Sequence, residues 1–400
     1  MDGFSSRLLA DGAWCWWTKP RATAVDGDLY VGVIDEVGQI VVAAIEPDGN
    51  TRSRTVLARI EDDDHNNPAL LVHRERPPLC AYARHDEEPF VRLRVGRRPL
   101  DVTAWEPERR IRFPGVTSYA QLHPFGDRLL LFSRAGVTAW CVARSEDWGA
   151  TWTEGVPFIA LDTDQEVYMP TVLLPDRRTV RVAISGHPKQ YRHRPVRDVF
   201  ACVVDLETGE ITRPADGARI GNVLTGEGLP LTEAVLDLAY GPPSGRTLNL
   251  FDVGRGERFE IGFATKLAGD EATVDGAYEV ATLTDDGWRM ERLAPTGDVF
   301  GYIHAGMYVG GLAFPPAGPS GRVTISREED GRWHLEEWSR DASGLWHPAH
   351  LTPPGAVRLV RPWAVEGEGA PGYLALELER YGDSYVGTRS HVAGPFATGW

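Results

Sequence analysis

Four side chains that could transfer a proton or hold an anion occur in two neighbouring parts of the sequence: His65, His85, Tyr119 and Arg134. Imidazoles and phenols serve as general bases and acids, and a guanidinium binds a carboxylate. This set suits removal of a weakly acidic proton beside a carboxylate, whose developing charge must be stabilised. In a uronate sugar that proton is on C5, and its loss leads to β-elimination rather than hydrolysis.

Only a repeated fold can bring these scattered residues together. A short apolar run, a turn rich in Gly, Pro and Asp, and a second apolar run recur seven times, starting at Arg21, Ala69, Ala120, Thr171, Leu238, Gly311 and Trp363. Strand patterns with a period of about 40 to 50 residues are typical of propeller blades. We predict an all-β, seven-bladed β-propeller with four-stranded antiparallel blades. It would form one domain over residues 1–400, with an irregular inter-blade loop at about 206–235.

The blade pattern also predicts where the polar residues lie. In an antiparallel hairpin, the residue that enters the first strand and the residue that leaves the second lie at the same end. This rule places His65 and His85, Tyr119 and Arg134, and the pair Tyr168 and His187 at one mouth of the central channel. We predict that the first four are catalytic. The residues predicted to bind the substrate are Asn66, Tyr168, His187, Arg192, Tyr308 and Arg361.

Each candidate also has an ordinary structural interpretation. His65 follows three acidic residues and could be a solvated loop histidine. Tyr119 could be a strand-edge aromatic residue, and Arg134 could pair with Asp127 or Glu146. The functional interpretation is favoured because adjacent blades would otherwise place two histidines, a tyrosine and an arginine on one rim without a reason.

Composition excludes several classes of function. The net charge of −15 makes nucleic acid an unsuitable partner, and no stretch approaches the roughly 20 apolar residues of a membrane span. The four cysteines form no Cys-x-x-Cys pair, which argues against a thiolate zinc site. The first residues contain no signal peptide, so the sequence as written predicts a cytoplasmic protein, or a secreted one if a leader precedes it. We expect a monomer.

A second marker is structural. Ser145–Trp152 fits the Ser-x-Asp-x-Gly-x-Thr-Trp pattern of an Asp box, and Ser339–Trp346 is a variant with one more residue between Asp and Gly. Asp and Ser side chains in such a turn bond the backbone, and Gly adopts a positive φ. The pattern predicts a stable turn between outer strands and no chemistry.

Several of these motifs together resemble a known family. DDHNNPALLV followed by AYARH, GVTSYAQL followed by LLLFSRAG, SEDWGATW and the ending YGDSYVGTR are similar to the BNR-repeat, seven-bladed polysaccharide lyases. That family includes ulvan lyases and L-rhamnose-α-1,4-D-glucuronate lyases of gum arabic or arabinogalactan. The resemblance implies a carbon-oxygen lyase of carbohydrate metabolism. Such an enzyme cleaves at C4 of a glucuronate in an anionic oligo- or polysaccharide and leaves an unsaturated uronate.

The resemblance also implies residue roles. His65 and His85 would bind and neutralise the uronate or share in proton transfer. Tyr119 would be the acid or base, and Arg134 would hold the carboxylate or orient Tyr119. No cofactor is implied for the chemistry, and a structural calcium ion is the one ion suggested.

Two other functional classes remain open at this level. A sialidase-like glycoside hydrolase would need an arginine triad, for which Arg21, Arg134 and Arg361 are candidates, and an acid such as Glu233. A non-catalytic carbohydrate-binding propeller would need none of these groups for turnover. Formation of an unsaturated uronate distinguishes the lyase from both.

Overall fold

The computed structural model of the chain describes residues 8–187, 198–243, 246–267, 276–297, 309–316, 318–355, 358–367, 372–380 and 388–396. Almost every regular element in these ranges is a β-strand, because short apolar runs alternate with turn residues. One three-residue 3-10 turn, η1 (Asp64–Asn66), lies between two blades. No helix in the described ranges is long and apolar enough to cross a membrane.

The strands of the first half of the chain are β1 (Leu8–Asp11), β2 (Ala22–Val25), β3 (Asp28–Ile34), β4 (Gln39–Ile45), β5 (Thr51–Arg59), β6 (Ala69–Leu71), β7 (Leu79–Tyr82), β8 (Phe90–Val95), β9 (Arg109–Arg112), β10 (Thr117–Phe125), β11 (Arg128–Ala135), β12 (Ala139–Ser145), β13 (Val156–Ala160), β14 (Val167–Tyr168), β15 (Thr171–Leu173), β16 (Thr179–Gly186) and β17 (Val199–Asp205). The strands that follow are β18 (Glu210–Thr212), β19 (Arg219–Asn222), β20 (Asp237–Tyr240), β21 (Arg246–Val253), β22 (Glu260–Leu267), β23 (Ala277–Thr284), β24 (Gly287–Pro295), β25 (Gly311–Ala313), β26 (Arg322–Glu329), β27 (Arg332–Arg340), β28 (Trp346–His350), β29 (Arg358–Ala364), β30 (Tyr373–Arg380) and β31 (Thr388–Phe396).

These strands form seven antiparallel sheets within the described ranges, and six of the sheets have four strands. Blades one, two and three are β2–β5, β6–β9 and β10–β13; blades five and six are β21–β24 and β25–β28. In blade seven, β29–β31 are completed by β1 from the other end of the chain, with Ala10 opposite Val392. The predicted all-β propeller architecture with four-stranded antiparallel blades is confirmed for these sheets.

Blade four departs from the prediction. Its sheet contains β14–β20, and the segment 206–235 is not an irregular inter-blade loop: β18 and β19 form a hairpin that adds to β17, with Val204 opposite Ile211. The hairpin is stable because Ile211 and Val223 are buried against the blade. The repeat unit predicted from Leu238 is also divided, since β20 pairs with β17 whereas β21 begins blade five.

Residues 13–21, here called the central segment, connect β1 to β2 and fill the middle of the ring. The backbone N–H of Lys19 donates to the Ala120 carbonyl of blade three at 3.0 Å. The indole N–H of Trp17 donates to the Leu250 carbonyl of blade five, also at 3.0 Å. A segment that bonds inner strands on different sides of the ring occupies the channel. Sequence periodicity does not predict this segment, because it belongs to no repeat.

The turn at Ser145–Trp152 connects β12 to β13, the two outer strands of blade three. Asp147 accepts hydrogen bonds from the Thr151 backbone N–H at 2.8 Å and from the Thr151 hydroxyl at 2.6 Å. The Ser145 hydroxyl accepts from the Gly149 N–H at 2.8 Å, and Gly149 has a φ of +83°. These bonds satisfy the turn backbone.

Candidate active site

Asp63 links the two predicted histidines. It caps η1 by accepting the backbone N–H of His65 at 2.9 Å, and its Oδ1 also contacts Nδ1 of the His65 ring. Its other oxygen, Oδ2, lies 2.8 Å from Nδ1 of His85. The two imidazole rings stack in parallel, with centroids 4.1 Å apart and an interplanar angle of 4°. One carboxylate therefore orients both rings, from the loop before blade two and from the end of its second strand.

The two histidines have opposite electrostatic states. Burial alone would lower the pKa of His65, but the charges of Asp63 and Asp64 outweigh burial and raise that pKa to about 10. Burial lowers the pKa of His85, and the positive charge of His65 lowers it further. At neutral pH His65 is a cation and His85 is neutral. Since Nδ1 of His85 donates to the Asp63 carboxylate, the lone pair of His85 is on Nε2.

We expect the stability that His65 contributes to depend on pH. Its folded pKa of about 10 lies above the unfolded value of about 6.5, so the contribution is complete below about pH 6.5 and is lost as the pH rises towards 10. The difference in unfolding free energy between the parent and His65→Gln should therefore shrink between those pH values. Denaturant unfolding at several pH values measures it, and a difference that stays constant up to pH 10 would contradict the charged state of His65.

Tyr119 reaches the histidines through a β-bulge. Ser118 pairs with Arg134 and Gln121 with Phe132, so Tyr119 and Ala120 together oppose one residue of β11. Tyr119 has a φ of +65°, which is uncommon for a residue with a side chain and indicates backbone strain. The bulge turns the ring to a centroid distance of 5.5 Å from His65. Bulges commonly re-aim side chains beside functional sites.

Ser133 stabilises the bulge from the neighbouring strand. Its hydroxyl lies 3.0 Å from the Tyr119 carbonyl and 3.2 Å from the Ser118 carbonyl, two acceptors whose regular ladder pairing the bulge disrupts. Ser133 is fully buried, so this hydroxyl replaces the solvent that a surface bulge would use.

Arg134 holds an internal carboxylate beside the histidine pair. Its guanidinium donates to Asp86 Oδ2 at 2.7 Å and lies over the Tyr119 ring, 5.1 Å from the centroid. The Ser118 hydroxyl donates to Asp86 Oδ1 at 2.8 Å, and Nε2 of His85 lies 3.4 Å from Asp86 Oδ2. Burial would raise the pKa of Asp86, but the charge of Arg134 outweighs it and holds that pKa below its usual range.

Arg134 pairs with neither Asp127 nor Glu146, the two acids considered from the sequence. Asp127 pairs with Arg76, and Glu146 pairs with Arg128 at 2.9 Å. Both acids are in turns at the far end of their strands, whereas Arg134 is at the rim.

An aromatic floor lies beneath the polar groups. Trp17 of the central segment stacks on Tyr168, with ring centroids 3.5 Å apart and an interplanar angle of 11°. Tyr168 is 5.0 Å from the His187 ring, and Trp17 meets Tyr119 edge-on at 5.6 Å. Blade four thus contributes Tyr168 and His187 to the same mouth, as predicted from the hairpin rule. Trp17 and Tyr168 are both buried, so this stack supports the polar groups from inside the ring.

The remaining substrate-binding predictions have different outcomes. Asn66 is buried, and its amide donates to the Glu61 carbonyl at 3.2 Å, within the loop before blade two. Arg361 is also buried, and its guanidinium contacts the Asp64 carboxylate. Both side chains hold η1, which carries His65, in place. Arg192 and Tyr308 lie outside the described residues.

The residues considered for a sialidase do not converge on one ligand. Arg21 donates to the Cys15 carbonyl at 2.8 Å, within the central segment. Glu233 accepts the Asp162 backbone N–H at 2.6 Å, in a loop between blades three and four. With Arg361 committed to Asp64, these groups serve the fold.

Three residues of the site were missed by sequence reasoning. Asp63 is two positions from His65, and this Asp-x-His spacing at a turn was an available signal. Asp86 follows His85 directly, but an acid next to a histidine is too common to predict a paired guanidinium. Trp17 had no signal, because its place in the channel depends on a chain crossing that only the tertiary structure determines.

The site is not a calcium site by its ligand types. Asp63, His65 and His85 place ligand atoms within 4.8 Å of one another, but calcium takes six to eight oxygen ligands. Two of the three ligands here are imidazoles, and their Nδ1 atoms already contact Asp63. The structural calcium ion implied by the resemblance stays a prediction.

A separate cavity of about 720 Å³ lies at the other end of the channel. Its lining includes Lys19, His123 and Arg255, together with turn residues that follow the inner strands, such as Gly126. The rim histidines and Tyr119 do not line it, because the central segment separates the two ends. The candidate site and this cavity are therefore different features.

The ring of antiparallel sheets makes this chain a β-propeller, and its polar groups gather at one rim. Among solved structures of similar fold is a PL25 ulvan lyase bound to -[GlcA(1-4)Rha3S]-, with a TM-score of 0.74 and 14% identity, covering 98% of this chain and 96% of that one. A second structure of a PL25 ulvan lyase gives a TM-score of 0.73 and 15% identity over the same shares of the two chains. Polysaccharide lyase Uly1 gives 0.58 and 11%, over 98% and 91%.

No protein-family model and no curated protein sequence matches the chain. At these identities the likeness shows a shared fold. The likeness to polysaccharide lyase propellers that the sequence motifs indicated is confirmed at that level.

Proposed function

We propose that the protein is a polysaccharide lyase that cleaves the glycosidic bond at C4 of a glucuronate by β-elimination. The observation that carries the proposal is the pair of Asp63-linked histidines, one charged and one neutral, beside Tyr119 and a buried arginine. This elimination requires a cation that binds the substrate carboxylate, a base and an acid. The chain's own side chains supply all three.

The carboxylate of Asp86 occupies the place that we assign to the substrate carboxylate. It is held by the Arg134 guanidinium and the Ser118 hydroxyl, and it lies close to His85. A uronate carboxylate presents the same two oxygens to the same donors. Binding would displace Asp86, whose side chain is 39% exposed and can move towards solvent. Arg134 and the His65 cation would then stabilise the charge that builds up on the substrate carboxyl group.

His85 and Tyr119 then each carry out one of the two proton transfers. Nε2 of His85 accepts the C5 proton, and the C5–H electron pair forms the C4–C5 double bond. The C4–O4 bond breaks, and the Tyr119 hydroxyl donates its proton to the departing oxygen. The proton on His85 afterwards returns to the tyrosinate through solvent. His85 is the better base of the two, because burial lowers its pKa and keeps it neutral, and the Tyr119 hydroxyl is then the proton donor.

The proposed substrate contains glucuronate joined to rhamnose. The PL25 ulvan lyase of similar fold is bound to such a unit, GlcA(1-4)Rha3S. Ulvan is one candidate polymer, and rhamnose-α-1,4-glucuronate side chains of gum arabic or arabinogalactan are the other. In both polymers a rhamnose is linked to C4 of a glucuronate, which is the bond that the proposed elimination breaks.

The direct test incubates the purified protein with ulvan, gum arabic and arabinogalactan and follows the ultraviolet absorbance of an unsaturated uronate. We expect the absorbance to rise with at least one of the three polymers. Hydrolysis would instead give new reducing ends from the polymers, or an aryl alcohol from an aryl sialoside, with no rise in that absorbance. Binding without any product would indicate a carbohydrate-binding propeller, and either result would refute the proposal.

Replacing Asp86 should strengthen substrate binding. Asp86→Asn removes the internal carboxylate that competes for Arg134, so the KM for a uronate polymer should fall about two- to fivefold, the scale of a partly exposed ion pair. Steady-state kinetics at fixed ionic strength measures it. Glu87→Gln is the matched control, since it removes the same charge one residue away and should leave KM unchanged. A KM that rises in Asp86→Asn would show that Asp86 helps to bind the sugar.

A further inference from the structure

A second cluster of metal-binding side chains lies in blade six, on the two outer strands. His334 and Glu336 are two residues apart on β27, so their side chains point to the same face of the sheet. His350 on β28 is directly opposite Glu336 in the register of the two strands. The antiparallel pairing therefore brings two imidazoles and one carboxylate together on one face.

The distances within the cluster suit a small divalent cation. Nε2 of His334 lies 2.9 Å from Glu336 Oε1, and Nδ1 of His350 lies 4.0 Å from the same oxygen. All three ligand atoms are within 4.8 Å of one another. Zinc bonds to nitrogen and carboxylate oxygen are about 2.0 to 2.2 Å long, so tetrahedral ligands lie roughly 3.3 to 3.5 Å apart. Small side-chain adjustments bring this cluster to that spacing.

Neighbouring groups orient the carboxylate towards the histidines. The Trp338 indole N–H donates to Glu336 Oε2 at 2.9 Å, which leaves Oε1 facing the imidazoles. Second-shell bonds of this kind orient metal ligands. Arg327 is the nearby cation, 3.6 Å from Glu336 Oε1, but it also pairs with Glu329 at 2.9 Å. An incoming metal ion would leave that second ion pair intact.

Burial in the cluster is uneven. His334 is fully buried, and no described residue hydrogen-bonds its Nδ1. When Nε2 of His334 binds a metal ion, Nδ1 carries the ring proton, so the ligand atom is Nε2, which faces Glu336. The side chain of His350 is 57% exposed, so the cluster opens to solvent and leaves room for a water ligand.

We propose that His334, Glu336 and His350 bind one Zn²⁺ ion, which joins β27 to β28 at the outer edge of blade six. Two histidines, one glutamate and a water form a ligand set that zinc accepts. The ion would stabilise the blade and would take no part in the chemistry at the rim of blades two and three. The proposal does not depend on the function of that rim.

The test uses chelator-treated protein titrated with ZnCl₂, followed by calorimetry and by the Tm. We expect one equivalent to bind and the Tm to rise. His350→Asn should weaken zinc binding at least about tenfold and abolish the rise in Tm, since it removes a first ligand. Because His350 is exposed, this variant should fold normally. Glu336→Gln tests the carboxylate without a change of shape.

Two further variants locate the ion. His347→Asn is the matched control on the same strand; its ring pairs with Asp341 outside the cluster, so zinc binding should not change. His85→Asn tests the rim histidines and should also retain the bound equivalent. The proposal is overturned if the parent binds no zinc, if His350→Asn and Glu336→Gln both bind like the parent, or if His85→Asn is the variant that loses the ion.

Discussion

Tyr119→Phe should lower kcat on a uronate polymer by about 10²- to 10⁴-fold, because it removes the proton that the proposed mechanism delivers to the leaving oxygen. Phe keeps the ring between the Trp17 edge and the Arg134 guanidinium, so the bulge and the fold should persist. KM should change little, since the hydroxyl acts in the elimination step. The rate of unsaturated uronate formation measures the effect.

Tyr30→Phe provides the matched control for this substitution. The Tyr30 hydroxyl contacts Arg52 at 3.0 Å in blade one, away from the rim, and its removal should leave kcat unchanged. Equal kcat values for Tyr119→Phe and the parent would show that Tyr119 is not the acid. The lyase activity itself would then still stand, with another group as proton donor.

Asp63→Asn should also lower kcat by about 10²- to 10⁴-fold, through both histidines at once. An amide in this place cannot accept two N–H bonds from the imidazoles as the carboxylate does, so His85 loses the fixed position of its lone pair. His65 loses one of the two carboxylate charges that raise its pKa to about 10, so that pKa falls and the cation is less firmly held. The base and one of the two stabilising cations are both impaired.

A readout besides the rate separates this role from simple destabilisation. Because His65 would titrate nearer its ordinary value, the pH profile of kcat/KM for Asp63→Asn should lose activity at a lower pH than the parent's. Asp62→Asn is the matched control, with the same change of charge in the same loop and no expected effect. A variant that keeps the parent's kcat and pH profile would show that Asp63 orients neither histidine for catalysis.

The rim site could be predicted because hairpin geometry is local. Once the strands of blades two and three are recognised, the ends of their hairpins must meet at one edge, which brings His65 near His85 and Tyr119 near Arg134. The structure places these four residues together. The positive φ of Tyr119 was not predictable, since it comes from a bulge that pairs two residues of β10 with Ser133.

Other parts of the site depended on long-range contacts. Arg361 was predicted to bind substrate, yet it is paired with Asp64, which is 297 positions away in the sequence. That contact exists because blade seven closes the ring next to the loop before blade two. The hairpin of β18 and β19 was likewise interpreted as a loop, because its strands are only three and four residues long.

The sequence by itself determined the class of fold and the rim on which the chemistry is placed. Alternating apolar residues select strands, turn residues end them, and a regular repeat leads to a ring; all of these act over short distances along the chain. The tertiary structure decided which further residues complete the site. Trp17 packs beneath it, Asp86 pairs with Arg134, and Asp63 contacts both histidines. These depend on the close packing of a non-repeating segment and of loop side chains inside the closed ring. Such packing is set by shape and charge in three dimensions, which no local pattern encodes.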